Sequence, residues 1–132
     1  MLGTHLIFAG QCEAAFRCYE RVLGARPGRM QTYADSPGAE QVPADLRGKI
    51  IHGTITIDGR ELMGADVRPE EYQTPRGFYL LLGVAGLTNA ERVFRALSEN
   101  GSVKMEFQKT FWSPGFGVLV DQFGVPWEIN CE

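Results

Sequence analysis

The last twelve residues, 121–132, read DQFGVPWEINCE: a turn at Gly124 followed by a strand in which polar and apolar side chains alternate. Successive side chains of a strand point to opposite faces of the sheet. The alternation therefore places Glu128 on one face with Pro126 and Asn130. The other face carries an apolar set, Val125, Trp127, Ile129 and Cys131. Glu128 has three open interpretations: a solvent-facing polar residue, a polar anchor inside a ligand cleft, or a metal ligand.

This strand closes the second of two similar halves of the chain. In the first half, residues 3–9 are predicted as a strand and residues 11–23 as a helix with one apolar face. In the second half, Thr88-x-x-Glu91 predicts a capping box at the start of a helix. Moving the chain by 75 positions puts Tyr19 on Phe94. The remaining predicted strands are residues 29–34, 49–57, 60–65, 78–84, 102–108, 116–121 and 125–131.

Each half has the order βαβββ. One helix cannot cover both faces of a four-stranded sheet, so each half has a second face to fill. We therefore expect an α+β fold in which two βαβββ modules form a curved mixed sheet around a cleft, with the helices outside. The expected organisation is a single domain of residues 1–132. Its parts are module 1 (about 1–66), a linker (about 67–76) and module 2 (about 77–132).

The composition excludes several classes of protein. A formal charge of −3 and a pI near 5.4 argue against a nucleic-acid partner. No stretch reaches the roughly 20 apolar residues that span a bilayer, and the first residues lack the features of a signal peptide. Three cysteines, Cys12, Cys18 and Cys131, do not make a disulfide framework. We therefore expect a cytoplasmic protein with free thiols and no membrane partner.

Four segments carry a resemblance to a known family: GQCEAAFRCYERVLG (10–24), KIIHGTITI (49–57), ELMGAD (61–66) and the long C-terminal block 108–132. Together with the paired βαβββ modules, they resemble the vicinal oxygen chelate superfamily, which includes glyoxalase, bleomycin-resistance proteins and extradiol dioxygenases. The chain is most similar to the PhnB-like branch of that superfamily. The resemblance implies a homodimer, because members usually complete their clefts by pairing or swapping modules.

The resemblance also implies where a metal site would lie. Active members bind a divalent metal with four His, Glu or Gln side chains from the first and last strands of each module. Glu128 matches the acidic position, and it is the only well-matched one. The other three positions fall on Thr4, on Leu62 or Met63, and on Tyr79. A change of register by one residue would bring in His5 or Glu61 instead. The implied site is eroded, so no cofactor is firmly predicted and a divalent metal remains an open alternative.

Seven residues are predicted to contact a ligand. His52 lies on the polar face of the strand KIIHGTITI, where it is the candidate catalytic residue, because imidazole exchanges protons near neutral pH. The alternative for His52 is a hydrogen-bonded wall residue, and for the apolar candidates it is core packing. The candidates are His5, His52, Met63, Tyr79, Phe111, Trp112 and Glu128.

The favoured function is binding of a small organic molecule in a cleft, without a complete metal site. One alternative is a divalent-metal-dependent lyase, isomerase or dioxygenase; another is an interaction subunit with a vestigial cleft. Catalysis itself stays open. The name demethylubiquinone methyltransferase is attached to this branch, but the chain lacks a glycine-rich loop after a strand to hold a nucleotide-type donor, which argues against methyl transfer.

Overall fold

The computed structural model describes residues 1–132 and contains two α-helices and eight strands in two mixed four-stranded sheets. The α+β class is confirmed. The chain divides into two compact units, residues 1–73 and 74–132. Each unit has the order βαβββ and the same sheet topology, which confirms the duplication predicted from the sequence.

The elements of the first unit are β1 (Thr4–Phe8), α1 (Cys12–Leu23), β2 (Arg26–Thr32), β3 (Ile50–Ile57) and β4 (Arg60–Asp66). The strand order across the sheet is β1-β4-β3-β2. Strand β1 runs parallel to β4, and the other pairs are antiparallel. The turn between β3 and β4 has Asp58 at φ 50° and Gly59 at φ 74°, as the hairpin signal Asp-Gly predicts.

Strand β2 lies earlier than predicted, because its end is set by a side chain. The Thr32 hydroxyl accepts a hydrogen bond from the Asp35 amide at 3.3 Å and caps a short 3-10 helix, Tyr33–Asp35. That cap ends the extended chain at Thr32, whereas the predicted strand ran to residue 34. Two more 3-10 helices follow in this unit, Ala39–Gln41 and Pro69–Glu71.

The second unit repeats this arrangement. Its elements are β5 (Leu80–Val84), α2 (Leu87–Ser98), β6 (Ser102–Gln108), β7 (Phe116–Val120) and β8 (Pro126–Cys131). The strand order is β5-β8-β7-β6, and β5 is parallel to β8. Helix α2 has 12 residues, as α1 does.

Each helix buries its apolar face on its own sheet. An aromatic ring of the helix lies over a sheet glycine in both units: Phe16 over Gly53, and Phe94 over Gly117. A Cβ on Gly117 would overlap the Phe94 ring, so the absent side chain lets the helix approach the sheet. The buried helix residues are Cys12, Ala15, Phe16, Cys18, Tyr19 and Val22 in α1, and Ala90, Val93, Phe94 and Leu97 in α2.

Helix α1 begins on a buried carboxylate from a distant strand. The N-cap residue Gln11 makes no side-chain cap. Instead, Asp66 Oδ1 accepts a hydrogen bond from the Cys12 amide at 2.9 Å, and its Oδ2 accepts one from the Ile50 amide at 2.9 Å. A negative charge there also complements the positive end of the helix dipole. Asp66 therefore joins the end of β4 to the starts of α1 and β3.

The predicted capping box of α2 is wrong. The helix begins at Leu87 with Gly86 as its N-cap, and no side chain caps it. The Gly86 carbonyl accepts the first helical hydrogen bond, from the Ala90 amide at 2.9 Å, which places Thr88 inside the first turn. Gly86 has φ 87°, a conformation that side chains rarely adopt, so the glycine sets the helix start and not the threonine.

Two further expectations concern free thiols and membrane-spanning helices. All three cysteines are free and buried, as predicted. Burial, together with the nearby Asp66 carboxylate, raises the pKa of the Cys12 thiol to about 12. Neither helix has the length and apolar character needed to cross a membrane.

Candidate functional site

The face of the second sheet that carries Glu128 points away from helix α2. Gly117 faces the helix, because a Cβ there would meet the Phe94 ring, and its partner across the ladder is Ile129, which is fully buried. Glu128 and Asn130 flank Ile129 in strand β8, so they lie on the opposite face. We call the side of a sheet that points away from the helix of its own unit the helix-free face.

Glu128 occupies the middle of this face. Its ladder partners are Leu81 in β5 and Val118 in β7. Leu81 is 65 % exposed, whereas Val118 is buried and Glu128 is half-buried. The Glu128 carboxylate has no hydrogen bond or ion pair within the protein. A half-buried, unpaired carboxylate between two aliphatic residues is available to a hydrogen-bond donor from a ligand.

The neighbouring row of the same face ends in an aromatic cluster. Asn130 has Gly83 and Phe116 as ladder partners. The Phe116 ring meets Trp112 edge to face with ring centres 5.3 Å apart, and Trp112 meets Phe111 at 4.8 Å. Trp112 is 54 % exposed and Phe111 97 %. Exposed side by side, these two rings form a contiguous apolar patch on the surface.

Asn130 adds a polar group beneath that cluster. Its Oδ1 atom is buried and has no hydrogen-bond partner in the protein. An unsatisfied buried acceptor costs free energy, roughly 1–3 kcal/mol. Glu128, two residues earlier in β8, is a second acceptor on this face, and the Glu132 carboxylate lies over Gly83 on the same face.

In the first unit, the equivalent row contains His5, Met63 and Thr54. His5 is paired with Met63 in the parallel ladder, and Met63 with Thr54 in the antiparallel one. His5 is exposed and Met63 is half-buried. The Thr54 hydroxyl already accepts a hydrogen bond from the Arg29 amide at 2.8 Å, so it supports the bulged β2 backbone.

His52 lies on the same face as Thr54, two residues along β3. Its ladder partner is Gln31, and it is half-buried. Its ring makes no hydrogen bond or ion pair within the protein. A general base is normally oriented by a second group, and none is provided to His52 by its neighbours in the ladder.

Comparison with known proteins identifies the family. A family model described as 3-demethylubiquinone-9 3-methyltransferase matches residues 1–130. The chain belongs to this family.

Solved and curated relatives agree with this assignment. Protein PA1353 from Pseudomonas aeruginosa is 40% identical with a TM-score of 0.86, over 100% of this chain and 97% of that one. A putative 3-demethylubiquinone-9 3-methyltransferase, the PhnB protein of Bacillus cereus, is 25% identical with a TM-score of 0.83, over 99% and 98% of the two chains. Protein YjdN from Escherichia coli (strain K12) is 35% identical over 98% of this chain and 93% of its own length.

A member of the glyoxalase/bleomycin resistance protein/dioxygenase superfamily from Sphaerobacter thermophilus has the same fold. Its TM-score is 0.57 at 16% identity, over 100% of this chain and 98% of that one. The chain therefore shares the fold of that superfamily member, and its similarity to the Bacillus cereus protein makes it PhnB-like, as its sequence predicts.

The strands that carry metal ligands in this superfamily are neighbours in each unit of the PhnB-like chain. The ladder pairs His5 with Met63 and Glu128 with Leu81. The expected residues Thr4 and Leu62 are also ladder partners, but they lie on the helix side, as Gly64 does. In the second unit, the partner of Glu128 is Leu81 and not Tyr79. At these positions the first unit supplies an imidazole and a thioether, and the second unit supplies a carboxylate and an alkyl chain.

This donor set does not fit a divalent metal site of four His, Glu or Gln ligands. Nowhere in the chain do three or more His, Cys, Asp or Glu side chains cluster in a way that could hold a metal ion. Glu61 lies on the same face as Met63 without any change of register, because the two residues are two apart in β4. Glu61 is exposed, and its ladder partner is Thr56 and not Thr54.

Three residues of the PhnB-like site were not singled out from the sequence: Leu81, Asn130 and Phe116. The alternation of polar and apolar residues in the last strand places Asn130 on the same face as Glu128, so Asn130 could have been singled out from the sequence. Leu81 and Phe116 needed the register of strands that are far apart in sequence, which no local pattern contains.

Proposed function

We propose that this PhnB-like protein binds a small organic molecule on the helix-free face of its second sheet. An aromatic part of the ligand packs against Trp112 and Phe116, and a polar hydrogen reaches Glu128. One observation carries the proposal: an exposed aromatic cluster and a half-buried, unpaired carboxylate share that face. Ligand sites commonly combine an apolar lining with a few placed polar groups.

The aromatic cluster supports an aromatic ligand because it is already assembled. The edge-to-face contacts among Phe111, Trp112 and Phe116 orient the rings before a ligand arrives. Aromatic pairs contribute about 0.5–1.5 kcal/mol beyond the area they bury. A preformed cluster also lowers the entropy lost on binding.

A metal-independent mode of binding is part of the proposal. Met63 and Leu81 stand where two ligands would be needed, so no step is assigned to a metal ion. Methyl transfer, the activity in the names of the family and of the Bacillus cereus relative, is not assigned to this chain, since no glycine-rich loop follows a strand in its sequence.

Two further expectations belong to this proposal. We propose a cytoplasmic location, because three buried free thiols suit a reducing compartment. We also propose a homodimer, on the strength of the superfamily resemblance.

Thermal unfolding in the presence of 2-naphthol tests the proposal. At ten times its Kd, a ligand stabilises the native state by about 1.4 kcal/mol, so Tm should rise by about 3 °C or more. The Trp112→Ala variant should lose this shift, and Trp112→Phe, which keeps an aromatic ring, should retain most of it. If Trp112→Ala shifted as far as the wild type, the proposed face would be wrong.

Elemental analysis distinguishes the proposed metal-independent binding from the metal-dependent alternative. Protein purified without chelator, and protein loaded with Ni, Mn, Zn or Fe, should carry far less than one ion per chain. A stoichiometric ion that disappears in Glu128→Ala would overturn the metal-independent proposal.

A further inference from the structure

A groove of about 370 Å³ lies within the second unit, next to the row that contains Glu128. This volume is within the range of small-molecule sites, roughly 300–1,000 Å³. The segment that precedes β5 forms one wall, and the near ends of β6, β7 and β8 supply the rest. The lining residues are 74–79, Ser102, Lys104, Val120 and Pro126.

The floor of the groove is continuous with the proposed ligand face. Val120 is the ladder partner of both Pro126 and Ser102. Pro126 is two residues before Glu128 in the same strand, so both lie on the helix-free face. Residues two apart in a strand are separated by about 7 Å. A molecule of one or two rings can therefore reach from the groove to the Glu128 carboxylate.

The charge of the groove is opposite to that of the chain. The protein has a formal charge of −3, yet Arg76 and Lys104 line the groove and no Asp or Glu does. Both side chains are exposed and neither has an ion pair or side-chain hydrogen bond. Three arginines outside the groove do have carboxylate partners: Arg17 with Glu13 at 2.7 Å, Arg68 with Asp45 at 3.2 Å, and Arg95 with Glu91 at 3.2 Å. Two unpaired cations beside an apolar floor favour an anion with an apolar body.

Tyr79 and Phe78 give the groove its aromatic wall. They are 46 % and 47 % exposed. Tyr79 immediately precedes β5, whose first residue, Leu80, has Trp127 as its ladder partner. The sequence predicts Tyr79 as a ligand contact, and the groove supplies a place for that contact beside Pro126.

We infer that this groove selects a small organic anion, with its carboxylate or phosphoryl group between Arg76 and Lys104 and its apolar body over Tyr79, Val120 and Pro126. The inference rests on the proposed function and adds the charge class of the ligand. The Glu128 carboxylate then contacts the uncharged end of the molecule, away from the anionic group.

Isothermal titration with matched probes tests the inference. Wild-type protein should bind 2-naphthoate at least tenfold more tightly than the neutral 2-naphthamide. The double variant Arg76→Gln/Lys104→Gln should reduce this preference to less than twofold while its affinity for 2-naphthamide is unchanged. The control Arg17→Gln/Arg21→Gln removes the same charge from exposed positions on α1 and should keep the wild-type preference.

Two further arms identify the anionic group. Titration with 2-naphthyl phosphate distinguishes phosphoryl from carboxylate recognition, and a tenfold preference over 2-naphthamide for either anion supports the inference. Inorganic phosphate should not displace the bound aromatic anion. Full displacement by inorganic phosphate would reduce the groove to a simple anion site and overturn the inference.

Failure of the anion inference can be distinguished from failure of the proposed function. Equal binding of 2-naphthoate and 2-naphthamide, or equal losses in the two double variants, overturns the anion inference and leaves the proposed aromatic site in place. Absence of binding by every naphthyl probe removes the proposed function, and the inference with it.

Discussion

At the scale of single residues, a buried aspartate holds the backbone that presents the site. Asp121 is 4 % exposed. Its Oδ1 accepts hydrogen bonds from the amides of Phe123 at 2.9 Å and Val125 at 3.0 Å, and its Oδ2 accepts one from Trp127 Nε1 at 2.9 Å. This carboxylate closes the turn before β8 and fixes the Trp127 ring on the helix side. It therefore sets which face of the sheet Glu128 occupies.

Asp121→Asn should lower the free energy of unfolding by about 1–3 kcal/mol, because one acceptor oxygen becomes a donor that faces another donor. Urea denaturation measures the change. Asp58→Asn is the matched control: Asp58 is exposed in a hairpin turn at φ 50°, where asparagine is well accommodated, so its effect should stay within about 0.5 kcal/mol. Equal effects of the two substitutions would contradict the role given to Asp121.

A second prediction concerns the alkaline stability that depends on Cys12. Its pKa is raised to about 12 in the native state, against an ordinary value of 9.0. Between these values the native thiol keeps its proton and the unfolded thiol has lost it, so stability falls as pH rises, by up to about 1.4 kcal/mol per pH unit. The pKa of Tyr33 is also raised, by burial and by Asp66, and it acts in the same direction.

The measurement is the unfolding free energy of the wild type and of Cys12→Ala from pH 8 to pH 11.5. Above pH 9, the unfolding free energy of Cys12→Ala should fall less steeply with pH than that of the wild type. This difference in slope is independent of any stability that the variant loses at pH 8 because its side chain is smaller. Parallel declines in the two proteins would show that Cys12 does not carry the effect.

At the scale of elements, the sequence predicts what depends on local patterns. The helices are 12 residues long at an offset of 75, as their apolar periodicity indicates, and the alternation of the last strand puts Glu128 opposite Trp127 and Ile129. The parallel registers of β1 with β4 and of β5 with β8 could not be predicted from such local patterns. These strands are far apart in sequence and share no turn, so the partners of Met63 and Glu128 had to come from the folded structure.

Sheet glycines give the element scale its own prediction. Gly117→Ala should lower the free energy of unfolding by about 1–3 kcal/mol, because the new methyl group meets the rigid Phe94 ring. Gly53→Ala should cost less: its nearest neighbour is the flexible Met30 side chain at 3.0 Å, and the Phe16 ring is 3.4 Å away. Thermal unfolding of both variants gives the comparison, and a larger loss in Gly53→Ala would contradict this account of helix packing.

At the scale of the whole molecule, the duplication was predictable, because two similar runs of periodic segments repeat along the chain. The residues that form the site were less predictable. Phe111 and Trp112 were singled out as large aromatics beside a turn, whereas the groove with Arg76 and Lys104 is assembled from four separate segments. Residues brought together in this way leave no spacing signature.

The oligomeric state is a prediction at this scale. A homodimer of the 14.6 kDa chain should have a mass of about 29 kDa (2 × 14.6) by size-exclusion chromatography with light scattering. A monomer at all concentrations from 1 to 100 μM (chosen as an order-of-magnitude range for a stable dimer) would contradict the homodimer.

The central claim is that the aromatic face of the second sheet binds an organic ligand without a metal ion. Titration of EDTA-treated protein with 2-naphthol, followed by tryptophan fluorescence, tests it most directly, because Trp112 is exposed and Trp127 is buried. We predict saturable binding with one site per chain, unchanged by added Ni, Mn, Zn or Fe and lost in Trp112→Ala. Binding that begins only when a divalent ion is added, and that disappears in Glu128→Ala, would contradict the claim.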